Sequence, residues 1–414
     1  MATNTFSSNF SADVSLYIAQ KLLMLAMKRL VVYQLCDKAV LPHNNGRTFQ
    51  YSRYERVALP QSVLTEGVTP GDTSMSVTVV QCVMDQWGAV IPISDVAIDS
   101  VKHPVLQKAI NLASLQAAEV VDREIIKVLM TGANVYFPNA ISSRPNLTTS
   151  DKMSSAVVGK VVANMRDVGA VPYDADYYYG VIDSFSEEDL LQDSTFVLAA
   201  QYASIKNLMV NEVGAWKGVR WLRSNTLPKI GLLTGASGAG SATAGSLSAS
   251  TTYNAKLSVV DALTGQERFI SATFNAATGA GQSSVDITVP ALPSGATASS
   301  TFNLYFGSNG GTLYLAASGI AASSTKNQGV VPTSGYVAQP AAPSGINVHF
   351  AFIFGMEAVT CVELNKVQTY LTPAVPSDSD PLVQRRKVGW KTDFKTVINN
   401  DAFLARIEHY ATNG

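Results

Sequence analysis

A chain of 414 residues that is 47% hydrophobic and only 15% charged carries enough apolar side chains for a large buried core, and its length fits two or three domains. Its 30 Lys+Arg against 31 Asp+Glu leave a formal charge of -1, which excludes a globally basic nucleic-acid-binding surface and confines any DNA contact to local patches. Cys36, Cys82 and Cys361 are odd in number and far apart, which argues against a disulfide framework or a Cys-x-x-Cys site and for a reducing compartment.

The first segment, "SADVSLYIAQKLLMLAMKRLVVYQLC", predicts a helix capped at Ser11, apolar all round, with basic residues late in the run where they suit the helix dipole. Its apolar run Leu22 to Met27 is short, flanked by Lys21 and Lys28 and preceded by Asp13, unlike a signal peptide. The apolar stretch Ile346 to Met356 is also far below the roughly 20 residues of a membrane-spanning helix. Next, "LPHNNGRTFQYSRYERVAL" predicts a turn at Asn44-Asn45-Gly46 and then an extended aromatic and basic segment. The arm that follows, "SVLTEGVTPGDTSMSVTVVQCVMDQWGAVIPIS" from Ser62 to Ser94, opens with turn residues. Met75, Val77 and Val79 then alternate with Ser74, Ser76 and Thr78, the period of a half-buried strand with no obvious partner.

In "SVKHPVLQKAINLASLQAAEVVDREIIKVLMTG", Pro104 and Gly132 bracket about 28 residues, a rod of roughly 40 Å. Leu106, Ile110, Ala113, Ala117, Val121, Ile125 and Val128 form its buried stripe, leaving Lys108, Glu119 and Arg123 for other faces. A second amphipathic helix over 154–168 places Val158, Val161, Val162, Met165 and Val168 on one side. "DADYYYGVIDS" then reads as a strand and "SEEDLLQD" as a capped helix start, an α+β pattern.

From Gly231 to Gly345 the only charged residues are Lys256, Asp261, Glu267, Arg268, Asp286 and Lys326. The alternating runs "AKLSVVD", "RFISATF", "SVDITVP", "TFNLYFG" and "GTLYLAA" predict a small β-sandwich whose length matches an immunoglobulin-like module. "INVHFAFIFGMEAVTCVEL" resumes the earlier style, so the module is inserted into one domain. "GASGAGSATAGS", Gly235 to Ser246, lacks the Gly-Lys-Ser/Thr of a phosphate loop and reads as a flexible linker.

Little of this points to catalysis. His43, His103, His349 and His409 form no metal-ligand spacing, and Glu187, Glu188 and Asp189 at a helix start read as a solvated cap. No cofactor, metal or enzymatic activity is expected, although a Ser/His/Asp triad of distant residues stays open as an alternative. Arg47, Arg53 and Arg56 with their tyrosines, and Arg385-Arg386-Lys387, are too sparse to read a base sequence. They suit either phosphates or acidic neighbours in another subunit, and the segment 57–94, whose only charges are Glu66, Asp72 and Asp85, supplies such acids. The candidate interface residues are therefore Glu66, Asp72, Asp85, Trp87, Arg47, Arg53, Arg56, Arg385 and Arg386.

The order of these parts resembles the major capsid protein of tailed bacteriophages, the HK97 fold, over about 1–230 and 346–414, with "NGRT" at Asn45 to Thr48, "LTEGVTP" at Leu64 to Pro70 and "GWK" at Gly389 to Lys391 similar to one branch of such coat proteins. The resemblance implies an α+β capsid fold with an inserted all-β immunoglobulin-like sandwich. The expected parts are an N-terminal arm (1–56), an extended β-loop (57–94), a peripheral domain with the spine helix (95–170), an axial and peripheral core (171–230 and 346–414) and the insertion (231–345). It further implies that the loop lies over a neighbouring copy, and that the chain assembles in the host cytoplasm into hexamers and pentamers of a virion shell around double-stranded DNA. A separate scaffolding protein, a portal and non-specific DNA contact go with that reading, and no membrane. Some relatives crosslink a loop lysine to a neighbour's asparagine; 57–94 has no lysine, so that crosslink is expected to be missing. The rival readings are another virion or decoration protein with the sandwich as its binding module, and a hydrolase with a dispersed triad.

Overall fold

A computed structural model describes residues 31–42, 44, 46–55, 57–59, 63, 64, 66, 67, 69, 72–100, 105–173, 176–192, 212–262, 265–343, 345–371, 382 and 384–412. The helix expected from Ser11 and the helix start at Pro104 lie outside them. After a 3-10 turn over Val32–Leu35 come strands β1 (Asp37–Val40), β2 (Thr48–Tyr54), β3 (Val77–Val83) and β4 (Asp85–Ser94). Asn44 and Gly46 have φ of 66° and 78°, the left-handed backbone that a tight turn draws from Asn and Gly. Helix α1 (Asp95–Ser100) precedes the long helix α2 (Val105–Leu129), whose 25 residues span about 37 Å. Its Ile110, Ala113, Ala117, Val121 and Ile125 are buried, the face that the three-four spacing marks.

Strand β5 (Val135–Tyr136) leads to α3 (Ser155–Asp167), which has Ser154 at its N-cap and buries Val158, Val161, Val162 and Met165. Val168, expected on that face, is the C-cap residue and stays exposed because the helix ends one residue before it. Strand β6 (Tyr178–Ile182) runs into α4 (Ser184–Leu191). The cap there is Asp183, whose carboxylate accepts the Ser186 N–H at 3.0 Å, so the helix starts earlier than "SEEDLLQD" suggests. Strands β7 (Glu212–Trp216) and β8 (Val219–Arg223) follow. The inserted region holds β9 (Gly231–Leu233), β10 (Ser237–Ser241), β11 (Thr252–Val260), β12 (Glu267–Ser271), β13 (Phe274–Ala277), β14 (Ser284–Thr288), β15 (Thr301–Ser308), β16 (Tyr314–Ile320) and β17 (Thr325–Gln328). Strands β18 (Val348–Phe354), β19 (Val359–Leu371), β20 (Arg385–Ile398) and β21 (Leu404–Tyr410) complete the chain.

These elements form two units, the first comprising residues up to Val128 with Met356–Asp401, the second Leu129–Gly355 with the residues from Ala402 onward. The first unit has a four-stranded sheet in the order β1-β19-β20-β4 and the two-stranded ribbon β2-β3. Ile93, Ala109, Ile110, Ala113, Ala117, Val388 and Trp390 close its core between α2 and the sheet. Residues 85–94, expected as the end of the extended loop, instead form β4 in this sheet, paired from Asp85↔Phe394 to Ser94↔Arg385. Local periodicity carries no trace of a partner so far along the chain.

The second unit has a six-stranded sheet, β5-β21-β18-β6-β8-β7, on which α3 packs through Val158, Val161 and Met165 against Tyr178, Trp221 and Ile353. Strand β18 is buried at every position, and its run "VHFAFIF" is correspondingly apolar on both faces. Residues 231–345 form a sandwich of a six-stranded sheet, β16-β15-β11-β12-β9 with β13 on β11, and a three-stranded sheet, β10-β14-β17. One core joins them, with Leu257, Phe302, Leu304 and Phe306 from the first sheet and Val285 and Ile287 from the second. Gly235 to Ser246, expected as a flexible linker, is not one: Ser237–Ser241 is strand β10, paired with β14 along its whole length. Its glycines reflect close packing, since a Cβ on Gly238 would stand 2.5 Å from that of Ala276. Among the described residues, no helix is long and apolar enough to cross a membrane.

Candidate assembly surfaces

The ribbon β2-β3 has two unlike faces, because successive side chains point to opposite sides of a strand. Phe49 and Cys82, directly paired, turn inward and join Leu41, Met84 and Val362 in a small core. Tyr54, Val77, Val79 and Val83 turn outward, and the three valines are 44%, 45% and 56% exposed. The alternation in the sequence thus marks a real apolar face, which no described residue of this chain covers. Sixteen of the 23 large apolar side chains exposed among the described residues belong to the first unit, so most of the described exposed apolar surface lies there.

A second feature lies on the outer face of the four-stranded sheet. Val90, Gly389 and Tyr370 are directly paired across β4, β20 and β19, and Gly88 pairs with Lys391 in the next row. The two glycines leave the floor bare between Val90 and Tyr370, forming an open groove of about 570 Å³ with Gln86 and Lys391 at its rim. Gly88 allows no larger side chain, as a Cβ would sit 2.7 Å from the Trp390 carbonyl oxygen. An isolated glycine within a strand was the available sequence signal for this groove, and it stood inside "QWGAV" and "VGWK".

The charged candidates fall into three groups. Arg47 donates to the Met84 carbonyl at 2.7 Å, and Arg53 pairs with Glu55 at 2.7 Å while donating to the Asn399 carbonyl at 2.8 Å. Hydrogen bonds from Thr78 and Arg53 hold the Glu55 carboxyl below its usual range. Asp85 and Trp87 lie at one end of the β4-β20 ladder and Arg385 and Arg386 at the other, so the sheet does not bring them together: Asp85 pairs with Lys395 at 2.6 Å, and the Arg123 guanidinium lies 5.6 Å from the centre of the Trp87 ring. Glu66 and Asp72 stand exposed in the segment between β2 and β3. Arg56 lies outside the described residues.

No protein-family profile and no curated protein matches this chain. Solved structures do. The capsid of Ralstonia phage GP4 aligns over 91% of this chain and 87% of its own at TM-score 0.52 and 9% identity. The acidic stable capsid of Helicobacter pylori bacteriophage KHP30 aligns over 90% and 87% at TM-score 0.50 and 10% identity. The chain has the HK97-like fold of phage capsid subunits.

Among the described residues, a constellation with catalytic residue types is sealed inside this fold. Asp183 Oδ2 meets His349 Nδ1 at 2.6 Å, Ser186 Oγ meets His409 Nε2 at 2.7 Å, and the Ser186 hydroxyl also donates to Asp183. All four residues are buried. Burial opposes ionisation of Asp183, but the hydrogen bond and charge of His349 outweigh it and hold the carboxyl well below the usual range. Burial, and then the charge of His349, lower His409 to about 4. The ring that meets the hydroxyl is not the ring that meets the carboxylate, so Ser186 lacks the single shared imidazole of a Ser/His/Asp relay. The cluster instead pins the start of α4 to β18 and β21. His43 and His103 lie outside the described residues, and among those described no cluster of His, Cys, Asp and Glu could hold a metal ion.

Proposed function

We propose that this chain is the major capsid protein of a tailed phage, a virion component that self-assembles into hexamers and pentamers of an icosahedral shell enclosing double-stranded DNA. The observation that carries the reading is the uncovered face of Tyr54, Val77, Val79 and Val83 on a subunit with the capsid fold, an apolar stripe that gains about 25 cal/mol per Å² when another copy covers it. The arm between β2 and β3 lies over a neighbour, with Glu66 and Asp72 facing cations such as Arg385 and Arg386 there. Trp87 and Asp85 support that contact from β4, and Arg47, Arg53 and Arg56 support it at the base of the arm. The role is structural rather than enzymatic and uses no cofactor, with binding energy spread over large subunit contacts.

The same reading includes a separate scaffolding protein, a portal and non-specific contact with the packaged DNA. The inserted sandwich is immunoglobulin-like in kind, on the basis of its length and its two sheets around one core, and it stands on the outer surface of the shell. Electron microscopy of the purified chain, alone and with the scaffolding protein of its phage, tests this. Closed shells or capsomers are expected; monodisperse subunits under both conditions overturn it.

A further inference from the structure

The sandwich leaves the second unit's sheet at Ile230 and returns at Val348, and these two residues exchange backbone hydrogen bonds of 3.0 and 2.9 Å. One such pair makes a hinge, about which a module can rock. A second grip lies on the returning segment. Its Tyr336 carbonyl accepts from Leu315 at 2.8 Å and its Ala338 amide donates to Leu313 at 3.0 Å, which fastens it to the sandwich beside β16. Two successive carbonyls are then held, one from the sandwich and one from the body: Gln339 by Lys256 Nζ of β11 at 3.3 Å, and Pro340 by Arg144 Nη1 at 2.7 Å.

Arg144 belongs to the body, in a 3-10 turn after β5, and its side chain is 1% exposed. Its other two nitrogens fork onto both oxygens of Glu408 in β21, each at 2.7 Å, and the ring of Phe350 lies 5.2 Å from the guanidinium. Arg406 approaches the same carboxylate at 3.0 Å and donates to the Met130 carbonyl. A buried ion pair of this kind adds little net stability over apolar side chains of similar size, whereas its planar fork fixes direction strictly. The proline ring restricts the backbone that presents the third acceptor.

We propose that Arg144 is a positioning residue that seats the inserted sandwich in one orientation on the subunit. The seat is built within one subunit and does not depend on assembly. In a shell it makes every copy present the same face of the sandwich, a consequence that rests on the capsid reading.

The test uses the full chain with nitroxide labels at Lys160→Cys on α3 and Ser299→Cys in the sandwich, both exposed, while the native cysteines are buried. A narrow distance distribution by pulsed electron resonance is expected for the otherwise unaltered protein. Arg144→Met removes the fork and leaves Glu408 paired with Arg406, so no buried charge is stranded; it broadens the distribution about twofold while amide protection in β11 and β15 is unchanged. Arg144→Lys keeps the positive charge beside Glu408, loses the fork and gives the same broadening, which keeps the test open should Arg144→Met not fold. A distribution in Arg144→Lys as narrow as in the unaltered protein overturns the proposal whether or not the shell reading holds.

Discussion

The carboxylate of Asp122, on the long helix α2, accepts the amide N–H of Val31 at 3.0 Å across 91 residues of sequence. It also accepts from Tyr33 at 3.3 Å and, more weakly, from Val32 at 3.5 Å, so one buried side chain caps the 3-10 turn where the described chain begins. Desolvation raises its pKa from 3.8 to about 6 in spite of those three donors.

A carboxyl with a raised folded pKa binds its proton more tightly in the native state. Its contribution to stability is therefore fully present below the unfolded value of 3.8 and is lost as pH rises through about 6. The unfolding free energy of the parent relative to Asp122→Asn should fall between pH 4 and 7, by up to about 3 kcal/mol. Denaturant titrations of both proteins across that range check this, and a difference independent of pH contradicts it.

His409 carries the opposite sign in the other unit. Its pKa is lowered from 6.5 to about 4, by burial first and then by the charge of His349, while Asp183 and Asp189 pull the other way. The stability it leaves intact above pH 6.5 is lost as pH falls toward 4, because the unfolded chain takes the proton first. Amides of β18 and β21 should exchange up to about tenfold faster per pH unit across that window, after correction for intrinsic rates. In His409→Gln this acid dependence should flatten, and an unchanged pH profile in the variant counts against the assignment.

Strand β10 offers a packing test. A Cβ on Gly238 meets the Ala276 Cβ at 2.5 Å and the Ile287 Cδ1 at 3.1 Å, so Gly238→Val forces β10 away from its neighbours. A loss of about 1–3 kcal/mol in the stability of the sandwich is expected. Ser237→Val, at an exposed site one residue earlier, should stay within about 0.5 kcal/mol of the parent. Equal effects of the two substitutions on thermal unfolding make the glycine merely a flexible residue.

What the sequence reveals here depends on how locally each feature is encoded. Helix α2 is legible because Ile110, Ala113, Ala117 and Val121 repeat at the helical period whatever covers them. The same logic gives the strands of the sandwich. It fails for β10, where Gly238 and Gly240 look like a linker because the reason for glycine, close approach of β13 and its turn, is tertiary. It also fails for β4, whose partner β20 lies near the other end of the chain, and for the groove over Gly389, which needs three strands in register. The arm is the instructive middle case. Met75, Val77 and Val79 announce an apolar face by alternation, yet all three are exposed, since period reports that a face exists and says nothing about which molecule covers it.

That face gives the most direct functional prediction. Removing 65–83 outright would delete β3, strip β2 of its one ladder partner among the described residues and take Cys82 out of the small core, so a failed assembly would be ambiguous. Val77→Thr, Val79→Thr and Val83→Thr together keep the β-branched shape and strand preference but remove apolar surface from the outward face. The subunit should unfold within about 0.5 kcal/mol of the parent per substitution, because all three sites are exposed. Covering three valines rather than three threonines is worth about 1 kcal/mol each at an apolar contact, so subunit association should weaken roughly a hundredfold, read as a raised critical concentration in sedimentation velocity. Val330→Thr with Val337→Thr, equally exposed but on the inserted region, should leave that concentration unchanged. Shells forming at the parental concentration from the triple variant exclude the outer face of β2-β3 as an assembly contact.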